Sequence, residues 1–138
     1  MKKLISFVSA ICLLLLLVGC STPEPTPIDN ISVETIHLSK PFSVSFALDA
    51  NSEMRMPFNL SIDKTAIKVK CDGEDIGEFS ISLYISPTET KAATFEINNQ
   101  HKTATFTNLI SSEDFYFVIQ NQSDEPYNLV LVFSEKMS

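Results

Sequence analysis

The chain has 138 residues, of which 17 are acidic and 10 basic, giving a formal net charge of −7 at pH 7. This balance argues against binding to a nucleic acid, which needs clustered lysine and arginine, and against electrostatic adhesion to anionic lipid. With only three glycines, the chain also lacks the glycine-rich loops that hold the phosphates of nucleotides.

The amino terminus has the order of an export signal. Lys2 and Lys3 precede an apolar run from Leu4 to Val18. The run is about 15 residues long, whereas a helix needs roughly 20 apolar residues to cross the hydrocarbon core of a bilayer. The pattern therefore favours a cleaved signal over a permanent membrane span.

Four residues at the end of this run, Leu17, Val18, Gly19 and Cys20, resemble the lipobox of bacterial lipoproteins. The resemblance implies cleavage between Gly19 and Cys20 and a diacylglyceryl group, with palmitate-type chains, on the Cys20 sulfur. Two acyl chains anchor a protein stably where one does not. We therefore expect residues 1–19 to be a lipoprotein signal peptide and the mature protein to be membrane-anchored outside the cytoplasm. The alternatives are an ordinary cleaved signal with a coincidental cysteine and an uncleaved anchor.

The next segment, STPEPTPIDN, has proline at every second position from Pro23 to Pro27. This composition favours an extended path of about 3.1 Å per residue. Residues 20–30 are predicted to be the lipidated cysteine and its linker, and residues 31–138 the folded domain. Because Lys2 and Lys3 leave with the signal, eight basic residues remain against 17 acidic ones, a formal balance of −9.

From Ile31 onward, apolar residues recur at every second position, which is the period of half-buried strands. This alternation predicts eight or nine strands and little or no helix. The clearest runs are 42–48, 54–62, 79–85, 115–119 and 127–133, and the weaker ones are 31–38, 67–71, 93–97 and 104–106.

The connectors between these runs carry Asn, Asp, Gly, Ser or Pro, the residues that reverse a chain. Strands and turns alternating in this way predict an all-β fold, an antiparallel β-sandwich of jelly-roll or immunoglobulin-like type. The body also resembles the small β-sandwich domains of bacterial surface proteins, chiefly where FYFVIQNQSDEPYNLVLVF (115–133) looks like a closing hairpin. That resemblance implies a fold class and no activity.

This hairpin predicts a surface patch. If the two strands pair with their core-facing residues aligned, Asn121 lies opposite Tyr127. The outward face then carries four apolar residues, Tyr116, Val118, Val130 and Val132. A contiguous apolar patch on a soluble domain often marks a binding surface, so these four are the candidate binding patch. The alternatives are that a loop or the linker covers them, or that β-branched residues are there because they suit strands.

The loop DGEDIGE places four carboxylates close together, those of Asp72, Glu74, Asp75 and Glu78. Hard cations such as calcium take several oxygen ligands, which makes the loop a candidate metal site. Its spacing differs from the helix-loop-helix calcium pattern, and Asp-Gly between strands is a common hairpin signal. We therefore expect a solvated turn, with no metal and no other cofactor.

Other reactive side chains give little indication of chemistry. His37 and His101 have no second histidine or cysteine at a metal-ligand spacing, and no G-x-S-x-G motif is present. Cys71 has the parity of inward-facing residues, so we expect a buried, unreactive thiol with no disulfide partner. No catalytic residue is predicted.

These observations favour a lipid-anchored extracytoplasmic module of the cell envelope that binds an envelope protein or wall component without catalysis. One alternative is an envelope hydrolase whose site is built from Asp72, Glu74, Asp75 and a histidine. A second is a structural component that assembles with itself. Sugar binding on exposed rings of Tyr84, Tyr116 or Tyr127 is a further alternative.

Overall fold

A computed structural model describes residues 23–136 of the chain. This part forms two sheets that pack face to face, with a single turn of 3₁₀ helix at Ile28–Asn30, so the predicted all-β sandwich is confirmed. The strands are β1 Thr26–Pro27, β2 Thr35–His37, β3 Phe42–Leu48, β4 Ser52–Arg55, β5 Asn59–Ser61, β6 Ala66–Asp72, β7 Phe79–Ile85, β8 Thr90–Ile97, β9 Thr103–Phe106, β10 Phe115–Asn121 and β11 Tyr127–Lys136.

Eleven strands in the described part exceed the eight or nine expected, for two local reasons. The run predicted as one strand at 54–62 is divided into β4 and β5, which flank Pro57, a residue with no N–H to donate to a ladder. The other additional strand is β1, which lies within the predicted linker.

The first sheet has the strand order β1-β3-β11-β6-β9. The second has the order β2-β5-β10-β7-β8, and β4 also pairs with β10, next to β5 along the same edge. The pairs β1/β3 and β2/β5 are parallel, and the remaining pairs are antiparallel.

The predicted alternation correctly identifies the inner faces of the sheets, which meet in one apolar core. Phenylalanines from the two sheets alternate across this core and reach its edge at Phe95, which is 39% exposed. Each ring contacts the next at a centroid distance of 4.9 to 6.2 Å. Aromatic contacts of this kind add about 0.5–1.5 kcal/mol each beyond the area they bury. The series is Phe95, Phe106, Phe117, Phe133, Phe58 and Phe42.

The predicted closing hairpin was wrong. β10 pairs with β4, β5 and β7 in the second sheet, whereas β11 pairs with β3 and β6 in the first. The connector 122–126 is therefore an arch from one sheet to the other. The same holds for the loop after Asp72, because β6 and β7 also belong to different sheets.

Strand direction gathers the loops into two groups. Connectors 49–51, 73–78, 98–102 and 122–126 lie at one end of the sandwich, which we call the acidic end. Connectors 38–41, 62–65, 86–89 and 107–114 lie at the other end, which we call the opposite end.

The segment before β2 is partly incorporated into the sandwich. Thr26 and Pro27 pair with Val44 and Ser45 of β3, and Ile28 and Ile31 pack against the core. Residues 26–30 therefore belong to the edge of the domain, although they were expected to be linker. The predicted signal peptide, the cleavage site at Gly19 and the lipidated Cys20 lie outside the described residues.

Candidate functional site: the acidic end of the sandwich

The two ends of the sandwich differ in charge. The difference lies in the connectors and in the three strand residues nearest to each connector. The acidic end has nine acidic residues and two lysines, namely Asp49, Glu53, Asp72, Glu74, Asp75, Glu78, Glu96, Asp124 and Glu125 with Lys70 and Lys102. The opposite end has five of each sign, namely Asp63, Glu89, Glu113, Asp114 and Glu135 with Lys40, Lys64, Lys68, Lys91 and Lys136.

Asn121 holds two of the acidic loops together. It is buried at an inward position of β10, and its Nδ2 donates to the carbonyls of Asp49 at 3.0 Å and Glu125 at 2.8 Å. Its Oδ1 accepts a hydrogen bond from the Ser123 N–H at 2.9 Å. A buried amide with all of these bonds satisfied fixes the turn after β3 against the arch after β10.

Asn51 adds a second connection between the same loops. Its backbone N–H donates to the Ser123 carbonyl at 2.9 Å, and its Nδ2 donates to Asp124 Oδ1 at 3.0 Å. The residue adopts a positive φ of 50°, which asparagine tolerates better than most residues.

Asn99 and Lys102 join the other two loops in the same manner. Asn99 Oδ1 accepts a hydrogen bond from the Ile76 N–H at 2.9 Å, and its Nδ2 donates to Asp75 Oδ1 at 2.9 Å. Lys102 Nζ donates to the carbonyl of Gly73 and, at 3.4 Å, to that of Glu74. The hairpin 98–102 therefore holds the loop 73–78 in one position.

Tyr127 connects the two pairs of loops. Its hydroxyl accepts a hydrogen bond from Ser123 Oγ at 3.1 Å, and its ring lies against Gly77. A Cβ added to Gly77 would fall 2.2 Å from the ring, and Gly77 has a φ of 70°, so only glycine fits there without strain. The four loops thus form a single, preorganised acidic surface.

A shallow concavity of about 280 Å³ lies on this surface, lined by Glu78, Phe79, Ser80, Glu96, Gln122 and Ser123. The carboxylates of the candidate metal loop do not converge. Asp72 Oδ1 lies 3.2 Å from Lys70 Nζ, while Asp75 accepts from Asn99. Within residues 23–136, no group of three or more His, Cys, Asp or Glu side chains is arranged to hold a metal ion.

The candidate binding patch is divided between two surfaces. Tyr116 and Val118 are on the outer face of the second sheet, and Val130 and Val132 are on the outer face of the first. The prediction that these four form one contiguous patch was wrong, because it depended on the hairpin between β10 and β11. The three valines are half-buried and Tyr116 is buried.

Tyr116 is covered by its neighbours. The Tyr84 ring stacks on it with centroids 5.1 Å apart, and the Arg55 guanidinium lies 3.8 Å from its centroid. Arg55 also reaches Glu89, with Nη1 3.6 Å from Oε1, and Lys91 lies over Tyr84 at 5.7 Å. Since Tyr116 is only 5% exposed, its ring is not available as a platform for a sugar.

His37 forms a cluster that the sequence analysis missed. Its Nδ1 lies 2.8 Å from Ser61 Oγ, and its Nε2 lies 2.9 Å from Asp63 Oδ2. These are the residue types of a hydrolase triad, but the side chains of His37 and Asp63 are 47% and 73% exposed. In such an open position, water competes for each polar contact. The contact arises because β2 and β5 pair in parallel with His37 opposite Ser61. We therefore interpret the cluster as a consequence of strand pairing at the edge of the sheet.

Cys71 is a free, buried cysteine in β6, as the alternation predicted. Burial, and secondarily the negative charge of Asp72, raise the pKa of the Cys71 thiol from 9.0 to about 11. Because the thiolate is the reactive form of cysteine, this thiol is inert near neutral pH.

No protein-family model matches the chain, and no curated protein matches it. Among solved structures, it is similar to PliG of Aeromonas hydrophila, a periplasmic lysozyme inhibitor of g-type lysozyme. The likeness has a TM-score of 0.50 and covers 73% of this chain and 95% of PliG, at 10% sequence identity. At this identity it shows a shared fold. Within residues 23–136, no helix is long and apolar enough to span a membrane.

Proposed function

We propose that the mature chain is a non-catalytic protein-binding module, anchored outside the cytoplasm by lipid on Cys20, and that its acidic end binds a cationic protein. The observation that carries this proposal is the concentration of nine acidic residues on four loops and the strand ends beside them, with the loops held together by Asn121, Asn99, Lys102 and Tyr127.

Preorganisation and charge act together in such a surface. Loops that are already ordered lose little conformational entropy when a partner binds, so more of the contact energy contributes to affinity. A concentrated negative potential also raises the association rate with a positively charged partner and disfavours acidic ones. Both effects fit a recognition surface on a rigid sandwich.

The structural neighbour suggests which partner to test first. PliG is an inhibitor of g-type lysozyme, so a protein of this fold can act by binding a cell-wall hydrolase. We infer that a cationic hydrolase of this kind is the partner of the present chain, and that inhibition is the consequence of binding.

The experiment measures lysis of cell-wall fragments by a g-type lysozyme in the presence of increasing amounts of the full mature protein in detergent. We expect inhibition that saturates at one inhibitor per enzyme and weakens as the salt concentration rises, because salt screens charge on exposed loops. Bovine serum albumin, an acidic protein without this fold, serves as the control. Unchanged lysis at a large excess of the protein would refute the assigned partner.

A further inference from the structure

We propose that the acidic end points away from the membrane and that the opposite end lies against the lipid surface. This inference rests on the proposed anchor at Cys20. It is carried by the direction of β1, the short chain between β1 and Cys20, and the charge difference between the two ends.

The direction of β1 sets the path of the tether. β1 is parallel to β3, with Thr26 beside Val44, and β3 runs from the opposite end towards the acidic end. The chain therefore enters β1 from the side of the opposite end. Reversing this path would require a sharp turn within residues 21–25, and Pro23 and Pro25 favour an extended, stiff chain there.

The tether is also short. Five residues lie between Cys20 and Thr26, and the six Cα–Cα steps of that segment reach about 20 Å when fully extended. β11, the longest strand, has ten residues and is therefore about 33 Å long. Thr26 joins the sandwich beside Val44, two residues from the start of β3, so a tether extended along this path holds the opposite end nearer to the membrane than the acidic end.

Charge supports the same orientation. The opposite end has as many lysines as acidic residues, so it is not repelled by the anionic lipids of a membrane, whereas the acidic end is. Ile110, in the connector between β9 and β10, is 60% exposed at the opposite end. An exposed isoleucine on the end of the sandwich that carries these lysines suits contact with the boundary between headgroups and acyl chains.

Two matched labels test the orientation in the full acylated protein. Gln100→Cys at the acidic end and Ser111→Cys at the opposite end both replace exposed, uncharged residues. Neither Cys71, which is buried, nor the acylated Cys20 competes for a thiol-reactive fluorophore. The labelled proteins are reconstituted into vesicles of phosphatidylethanolamine and phosphatidylglycerol whose headgroups carry a quencher with a range shorter than the sandwich.

We expect at least threefold stronger quenching at position 111 than at position 100. Insertion of twelve Gly/Ser residues between Thr22 and Pro23 should remove most of this difference, because the tether then no longer fixes the orientation. Equal quenching, or stronger quenching at position 100, in protein that floats with the vesicles would overturn the orientation and leave the anchor intact. Protein that does not float would overturn the anchor, and the orientation with it.

Discussion

The two ends of the sandwich are made from the same kinds of turn residue, yet they differ in charge and in construction. At the acidic end, asparagine side chains bridge separate loops, and there are nine acidic residues but only two lysines. At the opposite end the charges balance, and the polar cluster of His37, Ser61 and Asp63 lies open to solvent. Hydrogen bonds join loops at the opposite end as well, where Glu135 accepts from the backbone of Asp63 and Lys64. The excess of carboxylates therefore distinguishes the acidic end, which is the end we expect to bind a partner.

Gly77→Ala should have the largest effect on the stability of the acidic end. The new methyl group would collide with the Tyr127 ring, and alanine disfavours the φ of 70°. We expect a loss of about 3 kcal/mol in the free energy of unfolding, measured by urea denaturation. At the opposite end, Asn108→Gly relieves a positive φ of 59° and should stabilise by up to about 1 kcal/mol. Equal effects of the two variants would remove the distinction between the ends.

Asn121→Ala should cost about 2 kcal/mol, because it removes three hydrogen bonds and leaves the carbonyls of Asp49 and Glu125 without their amide donor. The matched change at the opposite end, Ser61→Ala, removes an exposed contact to His37 and should cost less than about 0.5 kcal/mol. Thermal unfolding followed by circular dichroism gives both values. A cost for Ser61→Ala as large as that for Asn121→Ala would contradict the assigned difference.

The buried thiol of Cys71 reports on the interior beneath the acidic end, in contrast to a thiol placed at the surface. Its pKa is raised in the folded state, so folding favours the protonated thiol. The stability it contributes is present below pH 9.0 and is lost as the pH rises towards 11, at up to about 1.4 kcal/mol per pH unit. Urea titrations between these pH values should show this loss in the natural protein and not in Cys71→Ala. A thiol reagent at pH 8 should label Ser111→Cys rapidly and Cys71 only after unfolding.

Ser43→Ala should have a small effect, and it should stabilise the protein. The Ser43 hydroxyl is buried near the start of β3, at the opposite end of the sandwich. It has no hydrogen-bond partner within the described part of the chain. Removing it should stabilise the protein by about 0.5–1 kcal/mol, because an unpaired polar group is no longer desolvated. A loss of stability on this change, measured by thermal unfolding, would show that the hydroxyl is satisfied.

The sequence predicted the sandwich because alternation reports which side chains face inward, whatever strand lies next to them. It did not predict the partners of β10 and β11. Asn, Asp, Ser and Pro reverse a chain equally well in a hairpin and in an arch between sheets, so the connector 122–126 was read as the wrong kind of turn.

The sequence indicated only separate parts of the candidate site. The carboxylates of DGEDIGE and QSDEP are evident in the sequence, but only the arrangement of the strands places these two loops at the same end of the sandwich. Asn121 did leave a signal, since it is a polar residue at the inward parity of Phe115, Phe117 and Ile119. A buried amide needs partners, and here its partners are the loops of the site. The contacts of Arg55 and His37 depend on pairing between distant strands and left no such signal.

The most direct test of a recognition surface at the acidic end compares two triple variants with the same change in charge. One is Glu74→Gln, Glu78→Gln and Glu125→Gln at the acidic end. The control is Glu34→Gln, Glu113→Gln and Asp114→Asn, which lie elsewhere.

Both triple variants are titrated against a g-type lysozyme by calorimetry at low and physiological salt. The account predicts that the acidic-end variant binds about tenfold more weakly and has a smaller salt dependence, since each lost charge contributes about 0.5 kcal/mol. The control variant should bind within about twofold of the natural protein. Equal weakening by both variants, or no weakening by the first, would contradict a binding surface at the acidic end.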